Sequence, residues 1–159
     1  MIDIDFERLR SLGLTPALAA AAAALPGPEV SSPATASTPA RQLVRVIEVH
    51  RETVRVHTGG ADISARVLPR LSRALSDEET ALAVGDWGLL AHDAHGQPWL
   101  YERVPPLSHT ARRDADGRRH PVVSNVDTAL LVMGLDDDFN LRRLERYLAL
   151  VHGSGVAAV

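Results

Sequence analysis

The sequence predicts a mainly β protein: a five-stranded Greek-key barrel through the middle of the chain, then an incomplete α/β segment. Short apolar runs with period-two alternation recur between residues 41 and 105, separated by turn residues. A stretch without that alternation interrupts them after the third run. Beyond residue 122 the texture changes to one apolar run, a helical stripe and a second apolar run, the opening of a strand-helix-strand unit.

The elements follow in order. Phe6, Leu9, Leu12 and Leu14 suggest a short amphipathic turn. Thr15 before Pro16 is an N-cap with proline at the first helical position, so an alanine-rich helix is expected to about Leu25. Residues 1–25 read as a helical appendage. Residues 26–40 are rich in Pro, Ser, Thr and Ala without periodicity and read as a linker.

The barrel is expected over residues 41–105. Leu43, Val44, Val46, Ile47 and Val49 form its first strand, and Thr53, Val54, Val56 and Thr58 the second. Gly59-Gly60 turns the chain into Ile63, Ala65 and Val67. A briefly helical stretch runs to Ala83. Asp86 to Ala91 gives the fourth strand, a turn spans His92 to Gln97, and Pro98 to Val104 gives the fifth. A helix between strands three and four is the arrangement of the OB-fold, with an SH3-like barrel as the competing architecture.

Residues 106–121 are polar and arginine-rich, turn at Asp116-Gly117, and read as a second linker. In residues 122–159, Thr128 to Met133 is apolar enough for a buried parallel strand. Asp136, Asp137 and Asp138 offer the N-cap of a helix whose stripe is Leu141, Leu144, Leu148 and Val151. Val156 to Val159 begins another strand. Because the sheet that this stripe would cover is incomplete, self-association through the segment is one expectation.

Composition narrows the chemistry. The 159 residues suit one domain plus a fragment of another. The chain has no cysteine, which removes disulfides, thiolate metal sites and cysteine nucleophiles. All 17 of its basic Lys+Arg residues are arginine, so neither Schiff-base chemistry nor the lysine of a P-loop is available. Asp3, Asp5 and Glu7 occupy the place of a signal peptide's positive region, and Pro26 closes the alanine run well short of a membrane span; a cytoplasmic protein without a membrane partner is expected. Net charge is -3, so any polyanion must be met locally.

The local cations are Arg41, Arg45, Arg55, Arg66, Arg70 and Arg73 in the barrel, and Arg112, Arg113, Arg118 and Arg119 in the segment after it, whose balance over residues 105–121 is +2. Arginine suits phosphate through bidentate hydrogen bonds and also stacks on bases. Trp99 and Tyr101 stand two apart on one expected strand, share a face, and could stack unpaired bases. All of these are candidate RNA-binding residues; core packing is the competing role for the two aromatics. His92 and His95 lie in a turn without further ligands, so no metal is expected, and no catalytic constellation is visible. Asn125-Val126-Asp127 superficially resembles the guanine-reading motif NKxD but lacks its lysine, is one residue short, and precedes its strand, so it reads as strand entry.

Two strings are more specific. Val84-Gly85-Asp86-Trp87, and Ser124-Asn125-Val126-Asp127-Thr128-Ala129-Leu130-Leu131-Val132 with Asp138-Phe139-Asn140-Leu141-Arg142-Arg143-Leu144-Glu145-Arg146-Tyr147-Leu148, resemble the RsgA-type ribosome-small-subunit-dependent GTPases from about Leu43 onward. The resemblance implies an N-terminal OB-fold that contacts small-subunit ribosomal RNA, a circularly permuted GTPase domain whose lead-in is 126–159, and a zinc-binding domain. The full-length family uses GTP, Mg and Zn and assists late maturation of the small subunit. By the same resemblance NKxD, the P-loop, the switch residues and the zinc ligands would all follow Val159, so this chain needs no cofactor of its own and hydrolyses no GTP alone. Two alternatives stay open: a complete GTP hydrolase if the chain is a fragment of a longer product, and a protein-interaction module that binds no RNA.

Overall fold

The computed structural model describes residues 2–26, 41–117, 119–134 and 139–159. The elements are β1 (Ile2–Asp3), α1 (Phe6–Arg10), α2 (Pro16–Ala24), β2 (Arg41–Val49), β3 (Thr53–His57), β4 (Asp62–Val67), α3 (Pro69–Asp77), β5 (Trp87–His92), β6 (Pro98–Arg103), β7 (His109–Arg113), β8 (Arg119–Ser124), β9 (Thr128–Ala129), α4 (Leu141–Gly153) and β10 (Ala157–Ala158). Among the described residues no helix is long and apolar enough to cross a membrane.

Strands β2, β3 and β4 form an antiparallel meander. The chain then crosses through α3, and β6 pairs parallel with β4 through Arg66↔Trp99 and Val67↔Leu100. Antiparallel pairing of β5 with both β6 and β2 closes the barrel. The resulting circuit is the expected Greek-key order of the OB-fold. Closing so few strands requires sharp coiling. Register shifts at Val46/Glu48 and at Leu89/Leu90 bend the strands. Gly88 lets β5 and β6 cross closely, since a Cβ there would stand 2.7 Å from a Leu100 methyl and 2.9 Å from the Glu102 carbonyl oxygen.

Alternation along the strands builds two cores. Val44, Val46, Val54, Val56, Ala65, Leu90 and Leu100 point inward, and Leu71 and Leu75 of α3 plug the barrel. Leu43, Trp87, Leu89, Ala91 and Tyr101 point outward yet are buried, because Leu9, Leu14, Leu18 and Ala22 cover them. The N-terminal segment is therefore no appendage: three adjacent strands carry an apolar outer row, and α1 and α2 are its lid. Thr15 caps α2 as expected, its hydroxyl accepting from the Leu18 N–H at 3.3 Å. The expected linker lies almost wholly in 27–40, outside the described residues.

Two further expectations are corrected. Residues 106–121 do not form a plain linker: β7 and β8 pair as an antiparallel hairpin turning at Asp114–Gly117. The hairpin closes because Thr110 and Ser124 are buried at its base while its polar tip needs no cover. The apolar run 128–133 makes only the short β9, paired parallel with β10 through Thr128↔Ala157 and Ala129↔Ala158. Leu130 is 72% and Val132 83% exposed, since a strand buried on both faces needs a wider sheet than this pair provides. Helix α4 is capped by Asn140, whose side chain accepts from the Arg143 N–H at 3.0 Å; the expected cap at Asp136–Asp138 falls outside the described residues. Of its stripe, Val151 is buried, Leu144 and Leu148 are half-buried, and Leu141 is exposed.

Candidate nucleic-acid interface

The two specific strings of the sequence meet in space and fix the hairpin to the barrel. Gly85, at φ 90, is pressed against Ser124, where a Cβ would lie 2.1 Å from the carbonyl oxygen. Asn125 takes the left-handed conformation at φ 54, which its short polar side chain tolerates. Its Nδ2 donates to the Gly85 carbonyl at 3.0 Å, its Oδ1 accepts from the Leu107 N–H at 2.9 Å, and its own N–H donates to the Ser108 carbonyl at 2.9 Å. Every polar group of this side chain is engaged in structure, in keeping with strand entry rather than guanine recognition.

Below this joint sits a buried ionic group. Asp86 is fully buried; its carboxylate accepts from the Ala83 N–H at 2.8 Å and pairs with Arg103 at 3.0 Å. Arg103 also reaches His109 Nδ1 at 3.3 Å, Ser124 Oγ lies 2.8 Å from the same nitrogen, and Thr80 Oγ1 lies 3.4 Å from Nε2. An arginine can only donate, so Nδ1 is the acceptor and the imidazole is neutral with its proton on Nε2. Burial first, and then the Arg103 charge, hold the His109 pKa below the ordinary histidine value.

Arg45 belongs to this joint and is not a free RNA contact. Its guanidinium donates to the Leu12 carbonyl and, at 3.2 Å, to the Asn125 carbonyl, and lies 5.7 Å from the centroid of the Trp87 ring. It staples the turn after α1, the barrel and the base of the hairpin together. Burial draws its pKa down, with Asp127 acting in the opposite sense. Tyr101 is likewise corrected from stacking candidate to core: it is 3% exposed under α2, and burial raises its phenol pKa. Arg55 is balanced by Glu48 at 2.7 Å and Asp62 at 3.0 Å. Arg41 is half-buried, with its Nε enclosed.

The remaining candidates fall into two exposed groups. On the open outer face, β4 and β6 place Arg66 beside Trp99, the guanidinium carbon 5.0 Å from the ring centroid. Asp93 in the adjoining turn orders this corner. Its carboxylate accepts from the N–H groups of His95 and Gln97, each at 2.9 Å, and from Trp99 Nε1 at 3.1 Å, and these bonds, led by that from Gln97, hold its pKa below the usual carboxylate value. Helix α3 adds Arg70, which stands 3.9 Å from Glu102, and the exposed Arg73. Aspartate before a tight turn was a readable signal for the Asp93 role.

The second group is the hairpin. Arg112 and Arg113 on β7 face His120 and Arg119 on β8, and all four are exposed. Arg113 donates to the Gly117 carbonyl at 2.8 Å, while His120 contacts Asp114 at 2.7 Å. Arg118 lies outside the described residues. A polar cleft of about 570 Å³ separates the hairpin tip from the end of α3, lined by Ser76, Glu79, Thr80, Asp116, Gly117 and Arg119. Among the described residues no group of three or more His, Asp or Glu could hold a metal; His92 ends β5, paired with Pro98, and His95 lies in the turn that follows.

Comparison with known proteins gives this geometry a context. The family model of the RsgA GTPase matches residues 104–159. The small ribosomal subunit biogenesis GTPase RsgA 2 of Lactiplantibacillus plantarum is 34% identical over 119 residues, spanning 74% of this chain and 34% of that protein. The small ribosomal subunit biogenesis GTPase RsgA of Xanthomonas euvesicatoria is 37% identical over 119 residues, spanning 72% of this chain and 31% of its own length. The chain thus spans about a third of the length of these curated relatives. Two solved structures share the fold: YloQ, a circularly permuted GTPase, with TM-score 0.50 at 18% identity, covering 75% of this chain and 39% of that one; and YjeQ from Thermotoga maritima, with TM-score 0.52 at 16% identity, covering 74% and 39%.

Proposed function

Because the chain belongs to the RsgA GTPase family, we propose that it is the RNA-binding portion of a cytoplasmic GTPase that assists late maturation of the small ribosomal subunit. One observation carries the RNA contact. In the hairpin, Arg113 stands directly opposite Arg119. Like charges facing each other across a ribbon destabilise it, and a bound polyanion reverses the sign of that term. The joint beneath, with Asp86 and Ser124 fully buried, would hold the ribbon at a fixed angle to the barrel, so that both present cations to one RNA surface.

GTP hydrolysis would reside in the two thirds of the family's length that this chain does not span. The residues present do not fit a nucleotide or metal site: the sequence has no lysine for a P-loop or NKxD, and the described residues hold no metal-ligand group. GTP, Mg²⁺ and Zn²⁺ would belong to the rest of the protein. In isolation, the exposed apolar side chains of Leu130, Val132, Phe139 and Leu141 offer a route to self-association.

The test is titration of the chain with small-subunit RNA at two salt concentrations. Binding should fall steeply with salt, and replacing Arg112, Arg113 and Arg119 by Gln should weaken it and lower the salt slope by about one per phosphate-contacting arginine. Salt-independent binding, or none, would favour the protein-interaction alternative.

A further inference from the structure

Of the chain's two tryptophans, Trp87 is fully buried and Trp99 is half-buried. An indole left half in water ordinarily gains by turning into the core. This one is fixed in place from two sides. Asp93 takes its Nε1–H at 3.1 Å, and Arg66 lies 5.0 Å from its ring centroid. The other oxygen of the Asp93 carboxylate is tied to the backbone of its own turn, which holds the acceptor in place for the ring.

The position within the barrel adds to this. Thr53, Arg66, Trp99 and Ala91 lie side by side across β3, β4, β6 and β5. Strands β3 and β4 are the second and third of the barrel, and the Asp93 turn joins its fourth and fifth. That face and that loop are where the OB-fold architecture leaves room for single-stranded ligands. Lid helices α1 and α2 bury Tyr101 on the same strand but leave Trp99 only half-buried.

We propose that Trp99 and Arg66 form a stacking subsite for one unpaired base of single-stranded RNA, with Arg70 and Arg73 placed to meet the flanking phosphates. The guanidinium and the indole together present a flat cationic surface, which suits a base on its face and a phosphate at its edge. Glu102, 3.9 Å from Arg70, partly offsets that arginine, so Arg66 and Arg73 carry more of the phosphate contact. Asp93 acts as a positioning residue, because it touches the ring and not the ligand. The inference rests on the RNA-binding reading and sharpens it: the hairpin would grip backbone of any shape, whereas this corner requires a base out of its stack.

The experiment uses the full chain with a uridine dodecamer, an adenosine dodecamer and a perfectly paired RNA duplex, at two salt concentrations, followed by tryptophan emission and by an independent binding signal. The single-stranded probes should quench Trp99 and the duplex should not. Trp99→Leu should weaken single-strand binding by about ten- to a hundredfold while leaving duplex binding and the salt slope within about twofold. Trp99→Phe, which keeps an aromatic face, should recover most of the loss. Arg66→Gln should weaken single-strand binding and lower its salt slope by about one. Salt-dependent RNA binding with unchanged Trp99 emission and no effect of Trp99→Leu would overturn the subsite and leave the RNA-binding function standing. Absence of binding to every RNA would overturn both.

Discussion

The barrel and the C-terminal strand-helix-strand segment are written in similarly apolar sequence but reach different states of burial. In the barrel, inward and outward rows are both covered, the first by α3 and the second by α1 and α2. In the segment formed by β9, α4 and β10, Val151 and Val156 are buried while Leu130, Val132, Phe139 and Leu141 stay at least half exposed. Hydrophobic residues bury only where a second layer is available to meet them, and sheet closure supplies that layer for the barrel alone. One region is therefore a finished scaffold on which a binding surface can be held rigidly. The other is a face prepared for further packing.

The largest effect should come from breaking the finished side. Trp87 fills the outer core and supports Arg45 on its ring. Trp87→Ala should cost about 3–5 kcal/mol in urea unfolding. Leu141→Ala, an equally apolar deletion on the open side, should change stability by no more than about 0.5 kcal/mol. Comparable losses at both positions would mean that the C-terminal segment is as well packed as the barrel, and the contrast would fail.

A smaller loss is expected at the joint between the barrel and the hairpin. Gly85→Ala puts a Cβ against the Ser124 carbonyl in a conformation that side-chain-bearing residues resist. It should cost about 2–3 kcal/mol, with amide exchange accelerating first at Ser124 and Asn125, whose N–H groups bond Val84 and Ser108. Exchange that rises uniformly through the barrel instead would show that hairpin and barrel unfold as one unit.

Legibility in the sequence followed the same division. The five barrel strands, the α3 interruption and the Thr15 cap could be read because alternation and turn chemistry are local. What covers an outward-facing residue is not local. Arg45 on β2 and Arg66 on β4 sit alike on outward positions, yet one lies under the lid and the other is exposed; Tyr101 and Trp99 likewise divide, one buried and the other half-buried. The lid itself was hard to see, because an alanine-rich helix is apolar all round and has no stripe to declare its buried side. The hairpin looked like a linker because both of its faces are polar near the tip, which removes the alternation that marks a half-buried strand. The joint was present as two strings far apart in sequence, and only folding brings Gly85 to Ser124.

The subtlest effect concerns protons at that joint. His109 is held neutral by burial and by Arg103, so its folded pKa lies below the value of about 6.5 expected of it in the unfolded chain. As pH falls through that value the unfolded state takes up a proton that the folded state resists, and stability is lost until the folded pKa is also passed. Protonation would set an N–H donor against the Arg103 guanidinium, which can only donate, and so break that contact, while the contact of Nδ1 with Ser124 would reverse direction. The melting temperature should therefore fall as pH is lowered from about 7 toward 5, with the hairpin loosening ahead of the barrel. His109→Gln, which keeps a neutral polar side chain, should flatten this slope. A slope unchanged by the substitution would place the acid sensitivity elsewhere, and would remove the imidazole from the set of groups that lock the hairpin to the barrel.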